Sequence, residues 1–398
     1  MTARHIDDGE RRARLVRRHH LAPSCRAADP VEVARDLVAL HATDPATVYL
    51  STAARLAEPD KAVSALEGAL YEDRTLVRLL GMRRTMFVVA REQAAVVHAA
   101  CTRAIAVQQR KLLVQHLVEG GVTAAAADPA GWLADVEEST LAALAARGTA
   151  TGQELAQDEP RLREQITLNV GKSYGGASNI TSRVLFLLAA DGRIVRGRPR
   201  GSWISSQYRW STVDSWLPGG MPEVDTGAAR VALVRDWLAA YGPGTVADLK
   251  WWTGWTVAEV KRALTAIGPV EVDLGAATGL VLPGDEAPVE PAEPHVTLLP
   301  ALDPTVMGWT GRDWFLGPHA PALFDRSGNP GPTVWWDGRV VGGWAQRAGG
   351  EVVFRLLEDV GTDVTSAVEA EAARLAGWLG VVRVTPRFRT PLEKQLVE

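Results

Sequence analysis

The chain has 398 residues, 46% of them hydrophobic and 23% charged, with a formal net charge of −4. That length predicts two or three packed units, and the balance excludes a bulk-basic nucleic-acid binder but not one with a locally basic face. Its two cysteines, Cys25 and Cys101, exclude a disulfide scaffold and a cysteine-held metal, and no apolar run reaches the about 18 residues of a membrane span.

The N-terminal stretch MTARHIDDGERRARL carries no apolar signal region, so a cytoplasmic protein is expected. Arg11, Arg12, Arg14, Arg17 and Arg18 follow on a first helix, partly offset by Asp7, Asp8 and Glu10. DPVEVARDLVALHA and DPATVYLSTAARL then read as two helices, each opened by an Asp-Pro pair. A third helix over about 61–73 leads to a strand, TMFVVA, at 85–90. Between the two Asp-Pro helices lies HATDP, which places His41, Thr43 and Asp44 in an otherwise apolar run.

A weak repeat follows. Residues 139–158 and 233–251 each read as an apolar-periodic helix, a glycine, a Thr N-cap and a short second helix. A third helical pattern comes next in both copies, at 179–192 and 256–268, and then strand-like sequence. Three helices and a two-stranded hairpin are the outline of a winged helix-turn-helix unit, with a looser copy at the N-terminus. The Pro/Glu-rich piece 284–294 reads as a linker. Beyond it come short strands, with a hairpin turn at Asp337-Gly338 in TVWWDGRVVGGW, a helix over 364–380 and the tail VVRVTPRFRTPLE. The expected fold is α+β: three tandem winged helix-turn-helix units, at 1–130, 131–225 and 226–292, and a C-terminal β-rich segment, 293–398.

Charge is concentrated in one place. Lys172, Arg183, Arg193, Arg196, Arg198, Arg200 and Arg209 stand against the single acid Asp191, a local net of +6. The arginines of RIVRGRPRG fall on the expected wing of the second repeat, where such units meet DNA phosphates; the alternative is a solvated cationic face. Trp251, Trp252 and Trp255 of the third repeat read as core and inter-unit contacts, and the cations of the tail extend a basic surface. Arg339, beside the Asp337-Gly338 turn, either packs a small barrel with its neighbouring tryptophans or reaches a DNA groove.

Signatures of metalloproteases, serine hydrolases and P-loop enzymes are missing, and the scattered histidines give a zinc site no local support, so neither metal nor cofactor is expected. Asp44-Pro45 is a helix N-cap and first-turn pair, which explains the break but not His41 and Thr43.

LVALHATDP, MRRTMFVV, LLPALDP, WDGRVVGGW and VTPRFRTPLE, in this order over roughly residues 10–395, resemble the winged-helix DNA glycosylases, the AlkZ-like and YcaQ-like proteins. That resemblance implies a C-shaped basic cleft of tandem winged helices that binds double-stranded DNA and removes alkylated, often bulky, purines. It also implies a β-hairpin at the minor groove, and site residues in a Gln-x-Gln or Gln-x-Asp pair that position the attacking water. Here that pair reads His41-x-Thr43. His41 can act as a base or hydrogen-bond a water, Thr43 can orient it, and Asp44 can stabilise a sugar cation. The expectation is therefore a monofunctional DNA glycosylase, monomeric, serving repair or self-resistance to a genotoxin, with His41, Thr43 and Asp44 in its site. Lys172, Arg183, Arg193, Arg196, Arg198, Arg200 and Arg339 are expected on DNA. Two alternatives stay open: a non-catalytic DNA-binding regulator or damage sensor, and a protein-interaction scaffold that fits the net charge but not the local +6.

Overall fold

A computed structural model describes residues 3–168 and 176–398. The first helix, Asp8–Arg18, starts where Asp7 accepts the backbone N–H of Glu10. Its arginines do not face solvent freely. Arg14 donates to the carbonyls of Asp285 and Ala287, Arg18 pairs with the Asp285 carboxylate, and Arg17 donates to the carbonyls of Glu290 and Pro291. The 284–294 piece, expected as a linker, is thus a strap bound across the first helix.

The helix Pro30–Asp36, capped by Asp29, is shorter than expected. Val38 takes a left-handed φ of 64°, which ends helical continuation, and Leu40–His41 enters a three-stranded sheet instead. Leu37, Val38, Ala39 and Leu40 are all buried, and a short apolar run suits a buried turn and strand as well as a buried helix. In that sheet Met86–Ala90 lies between Leu40–His41 and Leu76–Leu80, antiparallel to both. Asp44 then opens the helix Pro45–Ala53, as its Asp-Pro pair predicts.

The repeats take shape as helices Pro129–Arg147, Gly152–Asp158 and Thr181–Ala190 before the hairpin Ile194–Pro199 with Tyr208–Thr212. The second copy is Thr226–Tyr241, Val246–Thr253 and Val257–Ile267 before Val270–Asp273 with Thr278–Val281. Reciprocal capping boxes, Thr151 with Glu154, Thr245 with Asp248 and Thr256 with Glu259, fix three of these helix starts. The C-terminal part is a four-stranded antiparallel sheet, Val296–Leu299, Thr333–Trp336, Arg339–Gln346 and Val352–Leu356, flanked by helices Thr362–Leu379 and Pro391–Val397. Asp337 and Gly338, at φ 46° and 76°, form its hairpin turn, and a Cβ on Gly338 would meet Arg12 and Val16 of the first helix at 3.0 Å.

One apolar core joins the first helix, the second helix trio and the C-terminal sheet, from Leu15 to Leu396. The first trio has a core of its own, from Leu113 to Trp210. Trp252 and Trp255 are buried in the large core, and Trp251 packs at its margin.

Candidate active site and nucleic-acid interface

Strand register sorts the HATDP residues by face. His41 lies opposite Phe87, which lies opposite Leu79, so these three share one face of the small sheet. Leu40, Val88 and Arg78 share the other. The His41 ring meets Phe87 edge-on, with centroids 5.2 Å apart, and the residue is 4% exposed. Burial first, and then the positive charge of Arg83, push its pKa down to about 3, with Asp303 opposing. At neutral pH His41 is therefore an uncharged imidazole with one N–H donor and one acceptor nitrogen. Its Nδ1 is buried and has no partner among the described residues, and neither does the buried Thr43 hydroxyl. They are two of several buried polar atoms without a partner among the described residues, and lying two residues apart they can hold one water or ligand between them.

Asp44 is otherwise engaged. Its carboxylate accepts the Ala46 N–H at 3.1 Å and the Arg387 N–H at 3.3 Å. It lines a small cavity with Glu393, and burial raises the pKa of both, that of Glu393 to about 7. Sequence reasoning joined Asp44 to His41 and Thr43; its hydrogen bonds run instead to its own helix and to the C-terminal tail.

The surroundings of His41 come from distant segments that sequence reasoning had quoted without assigning them a role. Arg83 sits at the tip between Leu76–Leu80 and Met86–Ala90, where it and Arg84 both adopt left-handed φ values, 52° and 58°. Such conformations are uncommon for residues with a side chain. The Arg83 guanidinium stacks over Trp251 at 4.0 Å, and Arg312 covers the same ring at 4.6 Å. Gly254 lets the tip come close, since a Cβ there would meet Arg83 Cγ at 3.1 Å. Asp303, in LLPALDP, is completely buried and pairs with Arg55 through both carboxylate oxygens, at 2.7 and 2.9 Å. Ser51 and the Thr305 N–H also donate to it, while Arg55 further donates to His19, Ser51 and Thr305. This saturated pair ties the helix Pro45–Ala53 to the C-terminal part.

The arginines expected on DNA have varied surroundings. Arg193 bonds Glu138, Arg198 bonds Glu67 and stacks over Tyr71, and Arg339 bonds Glu358 at 2.6 Å. Arg196 is mostly buried beside the rings of Tyr208 and Trp210. Counter-charges missing from the local sequence thus arrive from other elements. Arg183 and Arg200 form no ion pair among the described residues; Arg183 borders a pocket with Arg84, Gln109 and Ser182, and Arg200 one with Gln207. Lys172 lies outside the described residues. One group of metal-ligand type, His20, Glu32 and Asp36, has its atoms within 4.8 Å of one another. Its atoms are already bonded: His20 to Asp36 and the Cys25 carbonyl, and Glu32 to the Ala28 N–H. No helix among the described residues is long and apolar enough to cross a membrane.

Comparison with known proteins bears directly on this site. A family model described as DNA glycosylase AlkZ-like matches residues 34–378, a span that includes HATDP, the Arg83 tip and Asp303. Among solved structures, the Streptomyces sahachiroi DNA glycosylase AlkZ is similar with a TM-score of 0.70 and 23% sequence identity, over 96% of this chain and 99% of that one. At that identity the likeness speaks for the fold. No curated protein matches the chain.

Proposed function

Since the chain belongs to the DNA glycosylase AlkZ-like family, we propose that it hydrolyses the N-glycosidic bond of N7- or N3-alkylated purines, bulky ones included, in double-stranded DNA. The observation that carries this reading is the pair of buried, unpartnered polar groups at His41 and Thr43. An alkylated purine is already cationic, so it leaves as a neutral base when its bond to C1′ breaks. The protein has to steady the sugar cation and guide one water, whose oxygen bonds to C1′ and whose proton passes to solvent. A neutral imidazole offers one donor and one acceptor, as a glutamine side chain offers N–H and C=O. His41 therefore holds the water by hydrogen bonds rather than by taking its proton, and the Thr43 hydroxyl orients it. Asp44 is a positioning residue, which fixes the turn through its cap and adds negative potential near the site.

In this reading the helix groups are tandem winged-helix units at 1–130, 131–225 and 226–292, followed by 293–398, around a concave DNA-binding surface. Arg183 and Arg200, which have no acidic partner among the described residues, contact phosphates. The protein acts as a monomer on DNA in the cytoplasm and leaves an abasic site, for repair or for self-resistance to a genotoxin. No metal or cofactor takes part in the proposed chemistry. One observation favours a second reading, a non-catalytic regulator or damage sensor: the low basicity of His41.

Incubation with duplexes carrying N7-alkylguanine or N3-alkyladenine, followed by alkaline cleavage, tests the proposal. Strand breaks at the adduct are expected. Their absence with simple and bulky adducts alike rejects the glycosylase reading and leaves the second.

A further inference from the structure

Arg193, Arg198 and Arg339 are neutralised by acids, and a second concentration of positive charge lies in the C-terminal tail. The tail after the helix Thr362–Leu379 has no acid from residue 380 to 392. Within it Arg383 is spent on the carbonyls of Ala348, Gly349, Gly380 and Val382, which pins the segment. The next part of the tail forms an open groove of about 1380 Å³ together with the turn at Asp325–Ser327. Its cations are Arg326, Arg387, Arg389 and Lys394. Arg389 is 3.8 Å from Glu393, whereas Arg326, Arg387 and Lys394 are exposed and form no ion pair among the described residues. The groove's one acid at the mouth, Asp325, is spent locally, accepting the N–H groups of Ser327 and Asn329 at 2.8 Å. Phe388 stands among these cations with 41% of its surface exposed.

Uncompensated cations around an exposed aromatic ring match a phosphodiester chain, whose phosphates take the charges and whose sugars or bases take the ring. The location matters as much as the composition. Arg387, in the wall of the groove, donates its backbone N–H to Asp44, one residue from Thr43. The backbone of the groove wall is thus in contact with the HATDP turn.

We propose that this C-terminal groove holds the DNA backbone, with Arg326, Arg387 and Lys394 each against a phosphate and Phe388 against a sugar or an unstacked base. The proposal rests on the reading of the protein as acting on duplex DNA, and names a further surface that holds the backbone.

The test is affinity of the full-length protein for an undamaged labelled duplex as a function of salt. For the triple variant Arg326→Ala, Arg387→Ala, Lys394→Ala, the slope of log affinity against log salt should shrink by about 2 to 3, at about 0.9 per phosphate lost. Arg193→Ala, Arg198→Ala, Arg339→Ala should leave it nearly unchanged, because those cations are already paired. The three groove side chains are exposed, so the melting temperature should stay at the wild-type value. Should it fall, Arg326→Gln with Lys394→Gln is measured in place of the triple, with a slope loss of about 2 expected. Wild type that binds DNA while the groove variants keep the full slope overturns this inference alone, as does an equal slope loss in the wing variant. Polyglutamate bound as tightly as the duplex overturns it in favour of an acidic protein partner. Wild type that binds no DNA overturns both the inference and the reading beneath it.

Discussion

A histidine held against Phe87 and next to Arg83 is a different reagent from one in water. Because its pKa lies at about 3, His41 gains no charge between pH 5.5 and 8 and has little capacity to take a proton. Its usefulness lies in hydrogen bonding, and a glutamine can replace that. His41→Gln should keep base release within a few-fold of wild type, whereas His41→Ala should lower single-turnover excision by about 10²-fold, the scale of one preorganised hydrogen bond in a site. Equal losses in the two variants would count against the water-holding role. Asp44 belongs to stability first: Asp44→Ala should lower unfolding free energy by about 1–2 kcal/mol through the lost cap, and Asp44→Asn by much less, as urea titration can measure. The cap was legible in the Asp-Pro pair. The direction of His41 was not, because it depends on the left-handed turn at Val38, which no side-chain pattern announces.

At the scale of elements, the turns and helix starts were readable and the charge partners were not. The Asp337-Gly338 hairpin, the repeated helix trios and their Thr caps follow from local chemistry. The bonds from Arg193 to Glu138 and from Arg198 to Glu67 span 55 and 131 residues, so counting charges in one window makes the wing look freer than it is. The same holds for the strap across the first helix, whose composition reads as a linker but whose carbonyls are taken by arginines. Arg55 and Asp303 form the most demanding of these long-range joints. Removing one member of a buried pair strands the other charge, so Asp303→Ala should lose about 3–5 kcal/mol and lower the urea midpoint accordingly. A loss below about 1 kcal/mol, the range of exposed ion pairs, would show that this joint does not hold the two parts together.

For the whole molecule, the large core packs the first helix, the second helix trio and the C-terminal sheet together, and two histidines are sealed neutral within this assembly. Burial first, and then Arg55, hold His19 at about 3, and His41 has the same value. Unfolded histidine titrates near 6.5, so between pH 6.5 and 3 the unfolded chain binds more protons. Stability should therefore be full above about pH 6.5 and fall as the pH drops, with each histidine adding up to about 1.4 kcal/mol per pH unit. Urea midpoints from pH 7.5 to 4.5 should show that fall, and it should be shallower in His41→Gln; a flat profile would mean that neither ring is sealed. Catalysis should behave differently, because the folded protein does not charge His41 over this range. The most direct measurement is single-turnover excision of an N7-alkylguanine from duplex DNA, corrected for spontaneous depurination, at pH 5.5 to 8 for wild type and His41→Gln. Excision by both, with no wild-type inflection near pH 6.5 that His41→Gln removes, is the predicted result. No excision, or an inflection that disappears with the histidine, would contradict it.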